Sequence, residues 1–87
     1  MLYLVDEPLA DLAFRTAAGD EDARVVLIQD GVLLASEADD NQKVDGPVYA
    51  VARDVEVRGV DLPPAVEPIT YDTLIELVVE HETRTFA

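Results

Sequence analysis

The chain contains no cysteine and only one histidine, His81. Without a thiol it cannot form a disulfide, a thiolate metal site, or a persulfide or thioester on its own side chains. One histidine without a cysteine also excludes a zinc site built from conventional nitrogen and sulfur ligands. We therefore expect no metal or other cofactor on this chain, and we expect His81 to be packed or at an interface.

Recognisable catalytic motifs are missing as well. Ser36 is the only serine, and it lies outside any nucleophile elbow or triad pattern. The 4 glycines are too far apart in sequence to form a phosphate-binding loop. The sequence therefore predicts a non-catalytic protein that acts by docking on another protein.

Basic residues are scarce: 6 Lys and Arg residues oppose 19 Asp and Glu residues, so the formal net charge is −13. Nucleic-acid binding depends on cations that neutralise phosphates, so direct binding of tRNA or DNA is not expected. Self-repulsion opposes a compact state at low salt, whereas a Debye length of about 3 Å at molar salt removes most of that penalty. We predict a halophilic source, with an acidic protein from an ordinary cytosol as the alternative.

Long apolar runs are absent, although 49% of the 87 residues are hydrophobic. Runs such as 25–28 are too short to span a bilayer, and the first seven residues lack the basic region of a secretory signal. We therefore expect one domain over residues 1–87 that lies in the cytoplasm and does not bind a membrane. A domain of this size buries about 60–65% of its unfolded surface, so oligomerisation would add stability.

Short apolar runs alternate with helical patterns, as in an α/β domain. Residues 2–5 predict a strand, and Pro8 to Gly19 predicts a helix with Leu9, Leu12 and Ala13 on its packed face. The β-branched run 24–29 predicts a central strand that is covered on both faces. Strands at 48–52 and 68–70 follow, the second at an edge. Asp72 is expected to open a last helix whose apolar stripe contains Leu74, Leu77, Val78 and His81.

Three segments are ambiguous. Asp30-Gly31 fits a hairpin turn or the start of a short helix, and the helix is preferred because buried parallel strands usually lead into helices. Residues 53–59 fit either a strand or a helical turn from Asp54 to Gly59. Residues 36–47, which include the only lysine, Lys43, predict a polar loop. The tail 82–87 is too short for a further element, and we expect Phe86 to be exposed.

Acidic residues follow the first two predicted strands. Asp6, Glu7 and Asp30 could converge at the carboxyl edge of a parallel sheet, where α/β sites usually form. That arrangement would suit a small-ligand or phosphoacceptor site in a stand-alone homo-oligomer. A receiver domain also needs a lysine after a late strand, and Lys43 does not fit. We therefore favour local roles, a helix cap at Asp6 or Glu7 and a tight turn at Asp30-Gly31.

An ordered set of segments resembles the DsrH/TusB family. The set begins with Met1-Leu2-Tyr3-Leu4, continues with residues 26–32 (VLIQDGV) and 48–51 (VYAV) with Asp54 and Arg58-Gly59, and closes with 69–81 (ITYDTLIELVVEH). The resemblance covers nearly the whole chain. It implies a small three-layer α/β fold with a mostly parallel sheet flanked by helices, as in the DsrE/DsrF/DsrH proteins. It also implies that Asp30-Gly31 precedes a helix and that 54–59 form a helical turn.

The resemblance further implies an accessory subunit of a sulfurtransferase relay. Related subunits of this family assemble and pass sulfur through cysteines, for 2-thiouridine formation at the tRNA wobble position in the TusB branch and for sulfur oxidation in the DsrH branch. The expected partners are cysteine-bearing DsrE/DsrF-like (TusD/TusC-like) paralogues in a hetero-oligomer, with a homo-oligomer as the alternative. Candidate interface or structural residues are Asp30, Gly31, Tyr71, Asp72, His81 and Phe86.

The sequence departs from the family pattern in three places. Some members carry a cysteine in the first helix, whereas residues 11–15 contain none, so a sulfur-carrier role is excluded for this chain. The region 36–47 is short, and Phe86 stands where relatives tend to end in tryptophan. We therefore expect the interface to differ in detail from that of its relatives.

Overall fold

The computed structural model of the chain describes residues 1–35 and 46–86. Most of the predicted loop 36–47, including Ser36 and Lys43, lies outside the described residues. No helix in the described ranges is long and apolar enough to cross a membrane.

The strands form one parallel sheet. They are β1 (Leu2–Val5), β2 (Arg24–Leu27), β3 (Val48–Val51), β4 (Val66–Ile69) and β5 (Thr83–Phe86). Their order in the 5-stranded sheet is β4-β3-β2-β1-β5, and every pairing is parallel. The prediction of an α/β fold with a mostly parallel sheet is therefore confirmed, and β2 is the central strand as expected.

Five helical segments connect the strands in the described residues. A 3-10 helix (Glu7–Leu9) leads into α1 (Ala10–Ala18), and a second 3-10 helix (Gln29–Leu34) follows β2. The remaining two are α2 (Ala52–Arg58) and α3 (Tyr71–Glu80). The structure thus selects the helix over the hairpin at Asp30-Gly31, and the helix over the strand at 53–59.

The helix boundaries differ from expectation at two caps. Asp54 does not open α2, because the helix begins two residues earlier, at Ala52. Asp72 lies in the first turn of α3, whose N-cap is Thr70: the Thr70 hydroxyl accepts a hydrogen bond from the Thr73 backbone N–H. In both places the aspartate lies inside the helix, where a carboxylate near the positive end of the helix is still favourable.

The topology explains why α3 lies apart from the other helices. Strands β1 to β4 progress in one direction across the sheet, and β5 returns to the far side of β1. Parallel crossovers share one hand, so this reversal puts the last crossover helix on the opposite face. The apolar contacts agree, because α1 and α2 pack with one core cluster whereas α3 packs with the other. The fold is therefore the three-layer arrangement that the resemblance implied.

Side chains alternate between these two faces along each strand, as the pleat requires. The larger cluster contains Tyr3 and Val5 from β1, together with the buried face of α1. That face differs from the predicted one, because Leu9 and Leu12 are exposed. The buried positions of α1 are Ala10, Ala13, Phe14 and Ala17, so Phe14 rather than Leu12 enters the core.

The prediction for the C-terminal tail is wrong. Residues 83–86 form β5, which extends the sheet beside β1. Phe86 is buried at 9% exposure, and its ring centroid lies 5.8 Å from that of Tyr3. The run Thr-Arg-Thr-Phe has strong β propensity. The sequence did not show that the edge of β1 is available to pair with this run.

Gly31 is required by close approach of two backbones. A side chain at this position would overlap the carbonyl oxygen of Val5 and lie 3.1 Å from the Cα of Asp6. The second 3-10 helix can therefore pass directly over the end of β1 only because residue 31 lacks a Cβ. Gly59 serves differently, since it ends α2 in the left-handed conformation with φ 62°.

Candidate functional site

The acidic residues at the carboxyl edge of the sheet do not form a common ligand group. Asp6 caps the first 3-10 helix: its carboxylate accepts a hydrogen bond of 2.6 Å from the Glu7 backbone N–H. Asp30 forms an ion pair with Arg58, with 2.8 Å between Oδ1 and Nε. No group of three or more potential metal ligands occurs within residues 1–35 and 46–86. The geometry therefore suits the local roles rather than a metal or phosphoacceptor site.

Asp54 organises this edge from α2. It is buried, and its Oδ2 accepts a hydrogen bond of 2.8 Å from the backbone N–H of Gln29. Its Oδ1 lies 3.7 Å from Nη1 of Arg58. Gln29 adopts a positive φ of 49°, which a glutamine rarely does. The Asp54 carboxylate thus holds the turn that leads from β2 into the second 3-10 helix.

Arg58 joins the two aspartates. The hydrogen bond to Asp30 raises the pKa of the guanidinium above its ordinary value, and the nearby charges of Asp30 and Asp54 add to this effect. The order VLIQDGV followed by Asp54 and Arg58-Gly59 carried the family resemblance, and the structure brings these segments into contact. Their arrangement fixes the backbone at this edge of the sheet.

A second structural pair joins Tyr3 to the loop after α1. The Tyr3 hydroxyl donates a hydrogen bond of 3.0 Å to Oδ2 of Asp20. Burial raises the pKa of the Tyr3 phenol above 10.0, and the hydrogen bond to Asp20 adds to the rise. The backbone N–H of Asp22, followed by the Tyr3 hydroxyl, lowers the pKa of Asp20 below 3.8.

These shifts predict how stability responds to pH. The folded pKa of Tyr3 exceeds its unfolded value, so its contribution is complete below about pH 10 and is lost as the pH rises through the folded value. The folded pKa of Asp20 is depressed, so its contribution is lost as the pH falls through that value. We expect Tyr3→Phe to remove the alkaline loss of stability attributable to this phenol in urea titrations at graded pH. Tyr71→Phe removes an exposed hydroxyl and should leave that loss unchanged; an unchanged alkaline limb in Tyr3→Phe would contradict the assignment.

One exposed side of α3, next to the residues that pack on the sheet, is apolar. Tyr71, Ile75, Val78 and Val79 are between 39% and 80% exposed, and we call these four residues the α3 stripe. Only Leu74 and Leu77 of this helix pack on the sheet, as partly buried members of the smaller cluster. α3 has no fully buried residue, and Val78, which was predicted on the same stripe as Leu74 and Leu77, is exposed.

The predicted site residues fall into two groups. Asp30 and Gly31 lie at the carboxyl edge of the sheet, where Gly31 is buried and Asp30 is exposed. Tyr71 and Asp72 are exposed on α3, and His81 follows the helix as its half-buried C-cap. Phe86 belongs to the core beneath α1, so its side chain is not available on the surface.

The sequence interpretation placed the candidate interface residues Tyr71, Asp72 and His81 on or next to the last helix, but it did not identify Ile75, Val78 and Val79 as exposed. One signal was present: apolar residues of the last helix cover far more of its circumference than a helix packed on one sheet needs. The family resemblance includes Asp54, but the sequence alone did not show its buried role, because that role comes from a contact with a backbone group 25 positions earlier.

Comparisons with known proteins agree on the fold and the family. The solved crystal structure of the ychN protein from E. coli matches with a TM-score of 0.78, covering 98% of this chain and 97% of that one. Its sequence identity is 18%, so this likeness concerns the fold alone. No curated protein matches the sequence. A family model described as DsrH like protein matches residues 8–84. The chain therefore belongs to the DsrH-like family, as its resemblance predicted.

Proposed function

We propose that this protein is a non-catalytic subunit of a sulfur relay complex and that it supports cysteine-bearing DsrE/DsrF-like (TusD/TusC-like) subunits in the cytoplasm. The observation that carries the proposal is membership of the DsrH-like family in a sequence without any cysteine. Sulfur relays transfer persulfide sulfur between thiolates, so a chain without a thiol serves the relay by binding its carriers.

The exposed α3 stripe supports the same role. Side chains this large and apolar are costly to leave in water, and a contiguous group of them on a small protein usually marks an interaction surface. At the acidic edge of the sheet, Asp30 is paired with Arg58 and Asp6 caps a backbone, which fits structural roles for both residues. Within the described residues, the exposed apolar stripe therefore suits a binding role.

We further propose that the relay served is thiolation of the tRNA wobble uridine, with the sulfur-oxidation branch as the other outcome, and that the host is halophilic. With a net charge of −13, the subunit would reach tRNA only through its partners. Deleting the gene in its native host should abolish most 2-thiouridine in total tRNA, measured by liquid chromatography and mass spectrometry of nucleosides. Reintroducing the wild-type gene should restore it.

Two results would count against this assignment. Unchanged 2-thiouridine together with impaired growth on reduced sulfur would move the subunit to the oxidation branch. Purification of the tagged chain in molar salt as a homo-oligomer without a cysteine-bearing relative would reject the relay role itself. In that case the hypothesis to test would be a stand-alone protein that binds a ligand at Asp6, Glu7 and Asp30.

A further inference from the structure

The apolar surface of α3 is wider than the part that the sheet covers. At about 100° per residue, Leu74 and Leu77 occupy the arc that faces the sheet. The α3 stripe occupies the adjoining arc, so the two together span roughly 200° of the helix. Half of the exposed large apolar side chains of the described residues lie in this one stripe.

The spacing of the stripe suits a particular mode of binding. Its residues follow the pattern i, i+4, i+7, i+8, which aligns them along one side of the helix. Anchors with this spacing are those that an amphipathic helix inserts into an apolar groove. α3 is anchored to the sheet at Leu74 and Leu77, so the stripe is presented on an ordered helix rather than on a loop.

Acidic side chains border the stripe. On a helical wheel that starts with Tyr71 at 0°, Val79 lies at roughly 80°. The acidic residues follow directly beyond it at roughly 100°, 140° and 180°; they are Asp72, Glu76 and Glu80. The segment 59–83 contains no Lys or Arg, and it carries the six acidic residues Asp61, Glu67, Asp72, Glu76, Glu80 and Glu82. The apolar stripe therefore has an acidic border with no cation in the same stretch of sequence.

This charge distribution distinguishes between occupants. A second copy that docked antiparallel through the same stripe would form an isologous pair and would bring two acidic borders together. A partner with lysine or arginine beside its groove would instead place cations opposite Asp72, Glu76 and Glu80. We propose that the α3 stripe inserts into an apolar groove of the cysteine-bearing partner, and that Lys or Arg residues border this groove. This inference rests on the proposed function and identifies its interface.

Val79 provides the sharpest test. It is 80% exposed, so Val79→Asp should leave the fold intact, which circular dichroism can verify. We expect the variant to bind the purified cysteine-bearing relative from the same genome about 100-fold more weakly in about 2 M NaCl, measured by isothermal titration calorimetry. Glu76→Lys, which reverses a charge of the acidic border, should weaken binding about 5-fold at the lowest NaCl concentration that keeps the protein folded, and by less in about 2 M NaCl, where exposed charges are largely screened.

Val57→Asp is the matched control, because Val57 is a valine on α2 with 72% exposure and lies on the opposite side of the sheet. It should leave the dissociation constant unchanged. Equal binding by wild type and Val79→Asp, or equal weakening by Val57→Asp, would place the interface elsewhere while the relay role stands. Tighter binding by Glu76→Lys would refute the basic border.

The remaining outcomes separate the two proposals. If the wild-type chain forms a dimer by itself that Val79→Asp converts to monomer, and if the relative still binds Val79→Asp at full affinity, the occupant is a second copy and the inference fails. If the wild-type chain binds no cysteine-bearing relative at all, the proposed function fails, and this inference fails with it.

Discussion

Gly31→Ala is expected to remove a large part of the protein's folding stability. The added methyl group would overlap the carbonyl oxygen of Val5, and the atoms on the other side of the contact belong to the backbone of β1 rather than to a flexible side chain. Relieving the overlap requires the second 3-10 helix to move away from the strand, at a cost of about 3 kcal/mol or more. An 87-residue domain has roughly 4–13 kcal/mol of stability in total. Urea denaturation followed by circular dichroism in molar salt measures the loss.

Gly19→Ala is the control for this substitution. Gly19 ends α1 with φ −88°, and its nearest neighbour for an added methyl group is 3.7 Å away. The alanine therefore fits, and we expect a change between zero and a gain of about 1 kcal/mol, because alanine restricts the unfolded chain. Similar stability losses for both variants would show that the contact with Val5 is not the cause.

The largest effect of solution conditions is expected from salt. Below about 0.1 M NaCl the repulsion among 19 acidic residues is poorly screened, so we expect the protein to unfold, and to refold as NaCl rises to about 3 M. Among the described residues, the acidic side chains are largely on the surface and only Asp54 is buried. Screening can therefore act on nearly all of these described charges. Circular dichroism during stepwise dialysis measures the transition.

Two controls isolate screening as the cause. Replacing four exposed acids with lysine changes the net charge by two units each, from −13 to −5, and should lower the salt requirement; suitable positions are Glu21, Glu56, Asp61 and Glu67. Sucrose stabilises compact states without screening charge, so it should substitute poorly for NaCl in the wild type. A wild-type protein that stays folded at low salt would instead fit an ordinary cytosolic source.

Much of the fold could be predicted from the sequence because short apolar runs and their breakers are local signals. The run at 24–29 is rich in β-branched residues, and its first four residues form the central strand; Gly59 ends α2 where a C-terminal glycine was expected. The strand at 83–86 was missed because four residues carry too little periodicity to reveal a partner strand about 80 residues away. Only the three-dimensional pairing with β1 identifies it.

The candidate site was less predictable than the fold. The expectation that Asp6 and Asp30 have local roles agrees with their contacts, a backbone N–H and Arg58. Apolar periodicity, however, indicates which side of a helix is apolar but does not identify the part of the protein that packs against it. The sequence put Val78 on the same stripe as Leu74 and Leu77, yet only Leu74 and Leu77 pack on the sheet, because one helix on a sheet needs only part of such a stripe. The rest of the stripe is visible as a surface only after the sheet is in place.

The pairing of β5 with β1 has a consequence for the order in which the molecule can be completed. β1 comprises residues 2–5 and β5 comprises residues 83–86. The edge of β1 that pairs with β5 therefore has no partner until about 80 more residues have been synthesised. Until then the backbone of β1 is open on that side, and Tyr3 lacks the ring of Phe86 beside it. A growing chain is thus open to mispairing along this edge of β1 until residues 83–86 have been synthesised. A chain that lacked residues 83–86 would keep this edge of β1 unpaired after synthesis, and we expect it to aggregate more readily.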